Sequence, residues 1–434
     1  MSVAAVVEAD LTWTGTCFEP GIRIAVDDRG RIAGAGRLPA EPTRRLTGRA
    51  VLPGFVNAHS HAFQRGLRGP GESFPAGAGS FWTWRESMYR LVDELDGGTF
   101  HRLCVQAFNE MLDAGITTVG EFHYLHHTRG AKDFALDEVV LHAAVEAGIR
   151  IALLESYYVT GGVGRPLEGG QLRFDGVSPD AYWRQMDRLD RTRDPTTQSL
   201  GVAPHSIRAA RPDEIAELYA EASRRGFVFH LHVEEQPKEI DEALTVYGRR
   251  PLEILNDTLP GAGRVTAVHC TQSEAADLER YLRTGGGVCT CPLTEGNLGD
   301  GIPRALPLMH AAGRLSLGSD SNTRISMLEE MRWLEYGQRL ATRTRGVVTG
   351  RDASVAPALI EIATGGGARS LGVDAGTIEP GRWADLALVD LEHPSLAGSD
   401  AGTLPGALVF GADNGVIAET CVGGRWRRCT ERQA

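Results

Sequence analysis

Residues 51–61 read Val51-Leu52-Pro53-Gly54-Phe55-Val56-Asn57-Ala58-His59-Ser60-His61, a short apolar strand that ends in two histidines. Side chains at positions i and i+2 of a strand point to the same face. His59 and His61 can therefore present two imidazoles to one point, which is the start of a candidate metal site. Two histidines that border a loop without a chemical role are the alternative, because a single His-x-His pattern has low specificity.

Length and composition indicate a folded protein with a large core. The chain has 434 residues, of which 42% are hydrophobic and 23% are charged. These values are ordinary for globular proteins and argue against disorder. The length allows two or three domains, although one α/β barrel with insertions can occupy most of it.

The charge balance limits the classes of partner. The formal net charge of −11 argues against nucleic acid or an anionic membrane as the main partner. An anionic small-molecule substrate would need local cations, and nearly all basic residues are arginines, with lysine only at Lys132 and Lys238. No basic region precedes an apolar run at the start of the chain, and no stretch approaches the apolar length of a membrane span.

The seven cysteines indicate a reducing compartment. Their number is odd and they show no spacing typical of a disulfide framework, so we expect free thiols in a cytoplasmic protein. Cys289 and Cys291 could form a metal-binding pair. Small apolar residues on a buried strand are the favoured interpretation of this pair.

The central part of the chain alternates between two periodicities. Eight short apolar strands are predicted, and helical segments separate them. Eight alternations in about 300 residues favour a (β/α)₈ TIM-like barrel over an open doubly wound sheet. No phosphate-binding glycine loop follows any of these strands. The predicted strands are 51–58, 117–122, 150–156, 199–204, 227–232, 265–269, 287–291 and 314–319, and the helices include 99–114, 137–147, 212–225, 272–283 and 326–343.

The two ends of the chain have a different sequence pattern from the central part. Residues 1–50 alternate short β-like runs with glycine and aspartate turns, and the same pattern returns near residue 375. We predict a composite β-sandwich domain from residues 1–50 and 375–434, and a catalytic barrel domain from residues 51–374. The loop 66–84 is rich in glycine, proline and aromatic residues, and we expect it to pack as a lid or substrate wall.

Polar residues are concentrated where the predicted strands end. In barrels of this kind, reactive groups cluster at the carboxyl ends of the strands. Seven of the thirteen histidines lie at such positions, which predicts a metal site. The candidates are His59, His61, Glu121, His123, Tyr124, His205, Arg208, His230, His232, Glu235, His269 and Asp320.

Spacing alone does not decide which histidines bind metal, because His230 and His232 are also separated by two positions on one strand. The fourth strand has no lysine that could carry a bridging carbamate, so a single metal is favoured. His59, His61, one histidine of the fifth strand and Asp320 would provide a mixed N/O shell with one open position for water. We expect His230, one layer deeper, to be a hydrogen-bonded interior residue.

The chain resembles the amidohydrolase superfamily over almost its whole length. The motifs that carry the resemblance are Pro53-Gly54, His59-x-His61, His232, His269, Ser319-Asp320 and Ala384-Asp385. Longer stretches resemble the formimidoylglutamate deiminase branch of that superfamily. These stretches are His59-Ser60-His61-Ala62-Phe63-Gln64-Arg65, Phe81-Trp82 with Trp84-Arg85, Glu121-Phe122-His123-Tyr124-Leu125-His126-His127, Ala203-Pro204-His205-Ser206, His232 with Glu235-Gln236 and Lys238-Glu239, Thr294-Glu295 with Asn297-Leu298-Gly299-Asp300-Gly301, and Arg332-Trp333-Leu334-Glu335-Tyr336-Gly337-Gln338-Arg339.

The resemblance implies zinc-dependent hydrolysis of N-formimino-L-glutamate to N-formyl-L-glutamate and ammonia, a step of histidine degradation. It implies one Zn²⁺ per subunit, with Fe²⁺ as the alternative metal, and a homodimer. It also implies Glu235 as the group that moves the proton of water to the leaving nitrogen, with His269 and Asp320 stabilising the intermediate. The implied metal ligands are His59, His61, His232 and Asp320.

The substrate pocket implied by the resemblance contains Gln64, Arg85, Tyr124, His205 and Arg208. The two arginines suit a dicarboxylate, because a guanidinium group binds carboxylate through two hydrogen bonds and stays charged. Ordinary salt bridges on the barrel rim are the alternative for these arginines.

One position departs from the pattern of this branch. A histidine is expected after Ser319-Asp320-Ser321, and the chain has Asn322-Thr323-Arg324. The substrate range could therefore differ, and Arg324 is a candidate for an additional anion contact. The second enzyme hypothesis is a deaminase of a nucleobase, nucleoside or other amidine compound, and a non-catalytic scaffold is disfavoured because the whole set of site residues is present.

Overall fold

The stretch 51–61 passes from one sheet into another. In the computed structural model, which describes residues 3–74, 79–304, 314–350 and 353–429, Pro53 ends one strand and Phe55 begins the next. A Cβ atom at Gly54, between them, would lie 2.1 Å from Oγ1 of Thr117. Only glycine permits this close passage. Because β-structure ends at Pro53 and begins again at Phe55, the predicted strand 51–58 is divided between the two sheets.

Eight parallel strands in sequential order form the barrel. Hydrogen bonding between neighbours runs from the first strand to the eighth, and an isolated parallel bridge between Ser60 and Asp320 joins the two ends. The predicted (β/α)₈ barrel is therefore confirmed. Its strands are β6 Phe55–Ser60, β7 Ile116–His123, β8 Arg150–Tyr157, β9 Gln198–Pro204, β10 Val228–Val233, β11 Val265–His269, β12 Gly287–Thr290 and β13 Leu315–Leu317.

Helices follow the strands and cover the outside of the barrel. The helices outside and the side chains inside the barrel bury both faces of its strands, and every residue of β7 and β8 is buried. The described α-helices are α1 Phe81–Glu94, α2 Gly97–Asp113, α3 Ala135–Ala147, α4 Pro179–Thr192, α5 Pro212–Arg225, α6 Pro237–Tyr247, α7 Pro251–Thr258, α8 Ala275–Arg283, α9 Pro292–Leu298, α10 Met327–Thr342, α11 Val355–Glu361, α12 Gly367–Leu371 and α13 Leu404–Gly411. Short 3₁₀ turns span Ala62–Leu67, Pro70–Glu72, Gly169–Arg173, Pro394–Leu396 and Asn414–Val416, and a π turn spans Ile362–Gly366.

The two ends of the chain build one β-domain together, as predicted. Its strands form a single hydrogen-bonded sheet of eight. Most neighbours are antiparallel, and β1 and β5 pair in parallel. The strands are β1 Val3–Trp13, β2 Phe18–Glu19, β3 Arg23–Asp27, β4 Ile32–Gly36, β5 Arg44–Pro53, β14 Leu386–Asp390, β15 Ile417–Val422 and β16 Arg425–Arg428. The boundaries proposed for this domain, residues 1–50 and 375–434, stay a prediction.

The long segment after the first barrel strand is packed against the protein where the structure describes it. Phe81 and Trp84 of α1 are 7% and 9% exposed, and both belong to the main apolar core. Residues 75–78 of the predicted lid loop lie outside the described residues. The segment therefore forms one wall of the space above the barrel.

The seven cysteines are free thiols. Cys289 and Cys291 pack with Ala58 and Val268 in a small apolar cluster, in agreement with the favoured interpretation. Among the described helices, none is both long and apolar enough to cross a membrane.

Candidate active site

Three imidazoles and one carboxylate converge at the carboxyl end of the barrel. Nε2 of His59 lies 3.2 Å from Nε2 of His232 and 3.5 Å from Oδ1 of Asp320. Nε2 of His61 lies 3.3 Å from the same Asp320 oxygen. All four residues are buried. These spacings are close to the ligand separations of a tetrahedral zinc ion, about 3.3 Å for bonds of about 2 Å.

Barrel closure brings the carboxylate to the histidines. The backbone N–H of Asp320 donates to the carbonyl of His59 at 3.0 Å, and the N–H of His61 donates to the carbonyl of Asp320 at 2.9 Å. Asp320 adopts a φ of 45°, a left-handed conformation that non-glycine residues rarely take. Such strain is typical of functional positions, where surrounding contacts hold the residue in place.

Hydrogen bonds orient two of the imidazoles. Nδ1 of His61 lies 2.8 Å from the carbonyl of Phe122, and Nδ1 of His232 lies 2.9 Å from the carbonyl of His205. Because a carbonyl only accepts, each Nδ1 carries the hydrogen and each Nε2 presents a lone pair. Burial lowers the pKa of His59, His61 and His232 below the usual histidine value, which favours neutral rings. The donor set therefore fits a divalent transition metal.

Asn322 joins the two segments that carry candidate metal ligands, His59 to His61 and Asp320. Its amide nitrogen donates to Oγ of Ser60 and to the carbonyl of His61, both at 3.0 Å. Its amide oxygen accepts from Oγ of Ser319 at 2.6 Å. Asn322 is fully buried and has a φ of 57°, which asparagine tolerates better than most residues. The side chain stabilises the metal-facing backbone and does not line the pocket.

Arg324 does not face the site. Its side chain is 50% exposed and pairs with Glu329. The geometry therefore gives no support to the hypothesis that Arg324 is an additional anion contact.

Glu235 lies beside the candidate metal ligands, two residues after the end of β10. Its Oε2 accepts from Nη2 of Arg208 at 2.8 Å, and its Oε1 lies 3.8 Å from Nε2 of His269. Glu235 and Arg208 are 5% and 3% exposed. The carboxylate is therefore held between a permanent cation and an imidazole, within a site from which bulk water is largely excluded.

Glu295 orients His269, a contact that the sequence analysis did not identify. Oε1 of Glu295 lies 3.3 Å from Nδ1 of His269 and also accepts from the backbone N–H of Cys291 at 2.9 Å. Burial lowers the pKa of His269, but Glu235, Glu295 and Asp320 outweigh it and raise the value to about 10. Glu295 lies in the first turn of α9, directly after the seventh barrel strand. The same rule about carboxyl ends of strands could have identified it.

The five residues predicted to contact substrate line one pocket with the metal-facing groups. Nε2 of Gln64 donates to the hydroxyl of Tyr124 at 2.6 Å, and Nη2 of Arg85 donates to the hydroxyl of Tyr158 at 3.0 Å. Apolar side chains from α1 and later loops complete the walls. The residues that line the pocket are His61, Gln64, Phe81, Trp84, Arg85, Met88, Tyr124, Tyr158, Phe174, His205, Arg208, His232, Glu235, Leu298 and Asp320.

Two guanidinium groups lie in this pocket beside its two carboxylates, Glu235 and Asp320. Burial acts against the charged form of Arg208, but Glu239 and Glu235 outweigh it and raise its pKa. The guanidinium of Arg85 lies 5.5 Å from the ring centroids of both Trp82 and Tyr89, within the range of cation–π attraction. The pocket therefore joins candidate metal ligands, a buried carboxylate and two cations.

His230 is separate from the site. Its Nε2 lies 2.9 Å from the carbonyl of Ser370, and the residue is fully buried. This is the interior role expected for it, and His232 is the fifth-strand histidine that reaches the metal-facing cluster.

A parallel barrel with candidate metal-binding histidines and buried carboxylates at its carboxyl end is typical of one class of hydrolases. The amidohydrolase family model matches residues 50–427, and the chain belongs to this family. The protein is accordingly a hydrolase that acts on C–N bonds of a small-molecule substrate.

The chain is similar to several known proteins and to solved structures. Formimidoylglutamate deiminase of Pseudomonas aeruginosa is 39% identical over 393 residues, which cover 89% of this chain and 86% of that protein. The 5-methylthioadenosine/S-adenosylhomocysteine deaminase of Natronomonas pharaonis is 30% identical over 406 residues, covering 92% and 86%. The crystal structure of an amidohydrolase from Brucella melitensis has a TM-score of 0.88 and 31% identity, covering 97% of this chain and 94% of that one.

Proposed function

We propose that this protein hydrolyses N-formimino-L-glutamate to N-formyl-L-glutamate and ammonia, as a step of histidine degradation. The observation that carries the proposal is the presence of Arg85 and Arg208 in the same pocket as the candidate metal ligands and Glu235. A neutral substrate would not need two buried or half-buried cations. An acidic amidine supplies carboxylates for the arginines and an electrophilic carbon for hydrolysis. The resemblance of the chain to a formimidoylglutamate deiminase supports the same substrate.

His59, His61, His232 and Asp320 are the proposed ligands of one catalytic Zn²⁺, with Fe²⁺ as the alternative. Such a cation supplies Lewis acidity and makes water a nucleophile near neutral pH. In the proposed reaction, water adds to the formimino carbon, the bond from that carbon to the terminal nitrogen breaks, and ammonia leaves. The formyl amide keeps the oxygen of water.

Glu235 is the proposed proton carrier. Its carboxylate takes a proton from the attacking water and delivers it to the departing nitrogen. His269, which lies 3.8 Å from Glu235, donates a hydrogen bond to the oxygen that develops charge. Glu295 keeps the ring of His269 in the orientation that this contact needs.

The remaining pocket residues position the substrate in this proposal. Arg85 and Arg208 bind the carboxylates, while Gln64, Tyr124 and His205 provide hydrogen-bonding groups around the formimino end. The apolar wall from Phe81 and Trp84 limits access of water once substrate is bound.

A deaminase of a nucleoside or related amidine is the second candidate. The similarity to a 5-methylthioadenosine/S-adenosylhomocysteine deaminase favours it, because the same metal-facing groups serve both reactions. Arg85 and Arg208 speak against an uncharged purine. For either activity we further propose a homodimer in the cytoplasm, without nucleic acid or membrane as a partner.

Ammonia release tests the proposal directly. Purified enzyme with its zinc content measured would be assayed with N-formimino-L-glutamate, guanine, adenosine and 5′-methylthioadenosine under the same conditions. We expect turnover of the acidic amidine alone, and loss of both zinc and activity at this site in Asp320→Ala. Faster turnover of a purine would reverse the order of the two candidates, and a fully active Asp320→Ala would remove Asp320 from the ligand set.

A further inference from the structure

A second group of four polar side chains lies behind the candidate active site. His123 ends β7, Asp137 lies in the first turn of α3 and Glu155 lies on β8. His126 lies in the segment between β7 and α3. His123 is 2% exposed, and the other three are fully buried. One nitrogen or oxygen from each residue lies within 4.8 Å of one from every other. None of the four lines the pocket described above.

The spacing of these atoms resembles that of the candidate metal ligands His59, His61, His232 and Asp320, which are called the first cluster here. Oδ1 of Asp137 lies 3.0 Å from Nε2 of His123 and 2.9 Å from Nδ1 of His126. Oε1 of Glu155 lies 3.3 Å from the same His126 nitrogen. The corresponding distances among His59, His61, His232 and Asp320 are 3.2–3.5 Å. Both clusters approach the separations of ligands around a tetrahedral ion.

His126 presents a lone pair to the two carboxylates when its ring is neutral. Its Nε2 lies 2.8 Å from the carbonyl of Ser156, and a carbonyl only accepts, so this nitrogen carries the hydrogen. Nδ1 of the neutral ring then faces oxygens of Asp137 and Glu155, which repel it unless a positive charge lies between them. Donation of the distal N–H to a backbone carbonyl is the usual arrangement of a metal-binding histidine.

Glu155 lacks a hydrogen-bond donor within the described part of the chain. Both of its side-chain oxygens are buried without a hydrogen-bond partner, while Asp137 accepts from Nε2 of Gln185 at 2.7 Å. A buried carboxylate without donors is costly, and proteins relieve the cost with a proton, a paired cation or a metal. Burial and the neighbouring Asp137 raise the pKa of Glu155 well above its usual value.

We infer that His123, His126, Asp137 and Glu155 form a second metal site that binds a divalent transition cation, with zinc the best match to two imidazoles and two carboxylates. Two carboxylates balance the charge of such an ion. Four protein ligands complete a tetrahedral shell and leave no position for water, which is typical of a structural site. The ion would fasten the segment after β7, which carries Tyr124 into the pocket, to α3 and β8.

A shared pair of protons is the competing explanation. One proton on His126 and one on Glu155 would leave the group with a net charge of zero, as a bound divalent ion would. The two explanations differ in the number of metal ions that the protein carries, so metal stoichiometry separates them.

Zinc content of the full-length protein, purified without chelators from cells grown with added zinc, provides the test. We expect two zinc ions per chain in the wild type and one in Asp320→Ala, which affects only the first cluster. Glu155→Gln and Asp137→Asn should each retain the ion of the first cluster and lose the other. Asp133→Asn, an acid-to-amide change on the exposed side of the same segment, should retain both ions. A wild-type content of one ion that Asp320→Ala removes would overturn the inference.

Diffraction supplies a test that does not depend on variants that fold. Crystals of the zinc-loaded wild type, measured on both sides of the zinc absorption edge, should show an anomalous peak about 2.1 Å from ligand atoms of all four residues. Absence of that peak, with a peak present at the first cluster, would show that the group holds protons instead.

Discussion

A single carboxylate, Glu235, contacts both the cation that would bind substrate and the imidazole that would stabilise the intermediate. Its two oxygens face Arg208 and His269 respectively. A substrate carboxylate that binds Arg208 must share it with Glu235. Substrate binding and proton transfer are therefore linked through the guanidinium group of Arg208.

Glu235→Gln should lower kcat by roughly 10²–10⁴-fold, because the amide keeps the hydrogen-bonding shape but cannot carry the proton. Zinc content should not change, since Glu235 is not a proposed ligand. Steady-state kinetics with metal analysis provides the measurement, and Asp241→Asn, an exposed acid on α6, is the control. A nearly wild-type kcat would refute the proton-transfer role.

Arg208→Ala and Arg85→Ala should each raise KM for N-formimino-L-glutamate by roughly 10–100-fold, the loss of one charge-assisted contact. Formamidine, which has no carboxylate, should show no such penalty in either variant. Arg211→Ala and Arg90→Ala are matched controls, because both arginines are exposed and lie outside the pocket. An unchanged KM in both test variants would mean that other groups bind the carboxylates.

At the scale of elements, the site depends on how β6 meets the segment after β13. Oδ1 of Asn57 accepts from the backbone N–H of Ser319 at 2.9 Å, and Asn322 bonds back to Ser60 and His61. These contacts join the segment that carries the two histidines to the one that carries Asp320. The asparagine that departs from the expected pattern therefore has a positioning role.

Asn322→Ala should weaken zinc binding by roughly 10–100-fold, as substitutions that disturb the supports of metal ligands do. The lost side-chain hydrogen bonds and the less favourable left-handed backbone both contribute. Competition with a chelator of known affinity would measure the change. Thr323→Ala, one residue further along the chain, removes a hydroxyl that bonds to Ser321 and should bind zinc normally. Equal affinities of the two variants would contradict the positioning role.

At the scale of the whole molecule, one buried ion pair joins the barrel to the sheet of the chain ends. Arg150, at the start of β8, donates to both oxygens of Asp385, at 2.6 and 3.1 Å, and lies 4.4 Å over the ring of Trp383. Asp385 also accepts from the backbone N–H of Gly423 at 2.7 Å. Their side chains are only 4% and 1% exposed, so solvent screens the pair weakly.

Asp385→Ala should lower the free energy of unfolding by about 3–5 kcal/mol, because it leaves the guanidinium of Arg150 buried without its partner. Denaturant unfolding of the zinc-loaded protein would measure the change. Asp390→Ala breaks the half-exposed pair with Arg49 and should cost at most about 1 kcal/mol. A similar decrease in the free energy of unfolding in the two variants would show that the buried Arg150–Asp385 pair stabilises the protein no more than the half-exposed pair.

Local pattern predicted the barrel because strand and helix periodicities are properties of neighbouring residues. The period of two on residues 55–61 placed His59 and His61 on one face. The glycines at Gly376 and Gly381 indicated that the pattern of short strands and turns returns near the end of the chain. The strand boundary at Gly54 was wrong by several residues, because the apolar run 51–58 continues without interruption through both sheets. The roles of the individual site residues stay predictions, although the structure brings together the proposed metal ligands, Glu235, His269 and the five predicted pocket residues.

The sequence by itself determined the alternation of strands and helices, the types of chemical group at the strand ends, and the scarcity of lysine, since each is encoded in short segments. Only the tertiary structure decided that Asp320 meets His59 and His61, that Glu295 meets His269, that Arg208 pairs with Glu235, and that His123, His126, Asp137 and Glu155 share one buried space. These contacts join residues far apart in the chain. Their distances follow from barrel closure and from the direction of each side chain, which local periodicity does not contain.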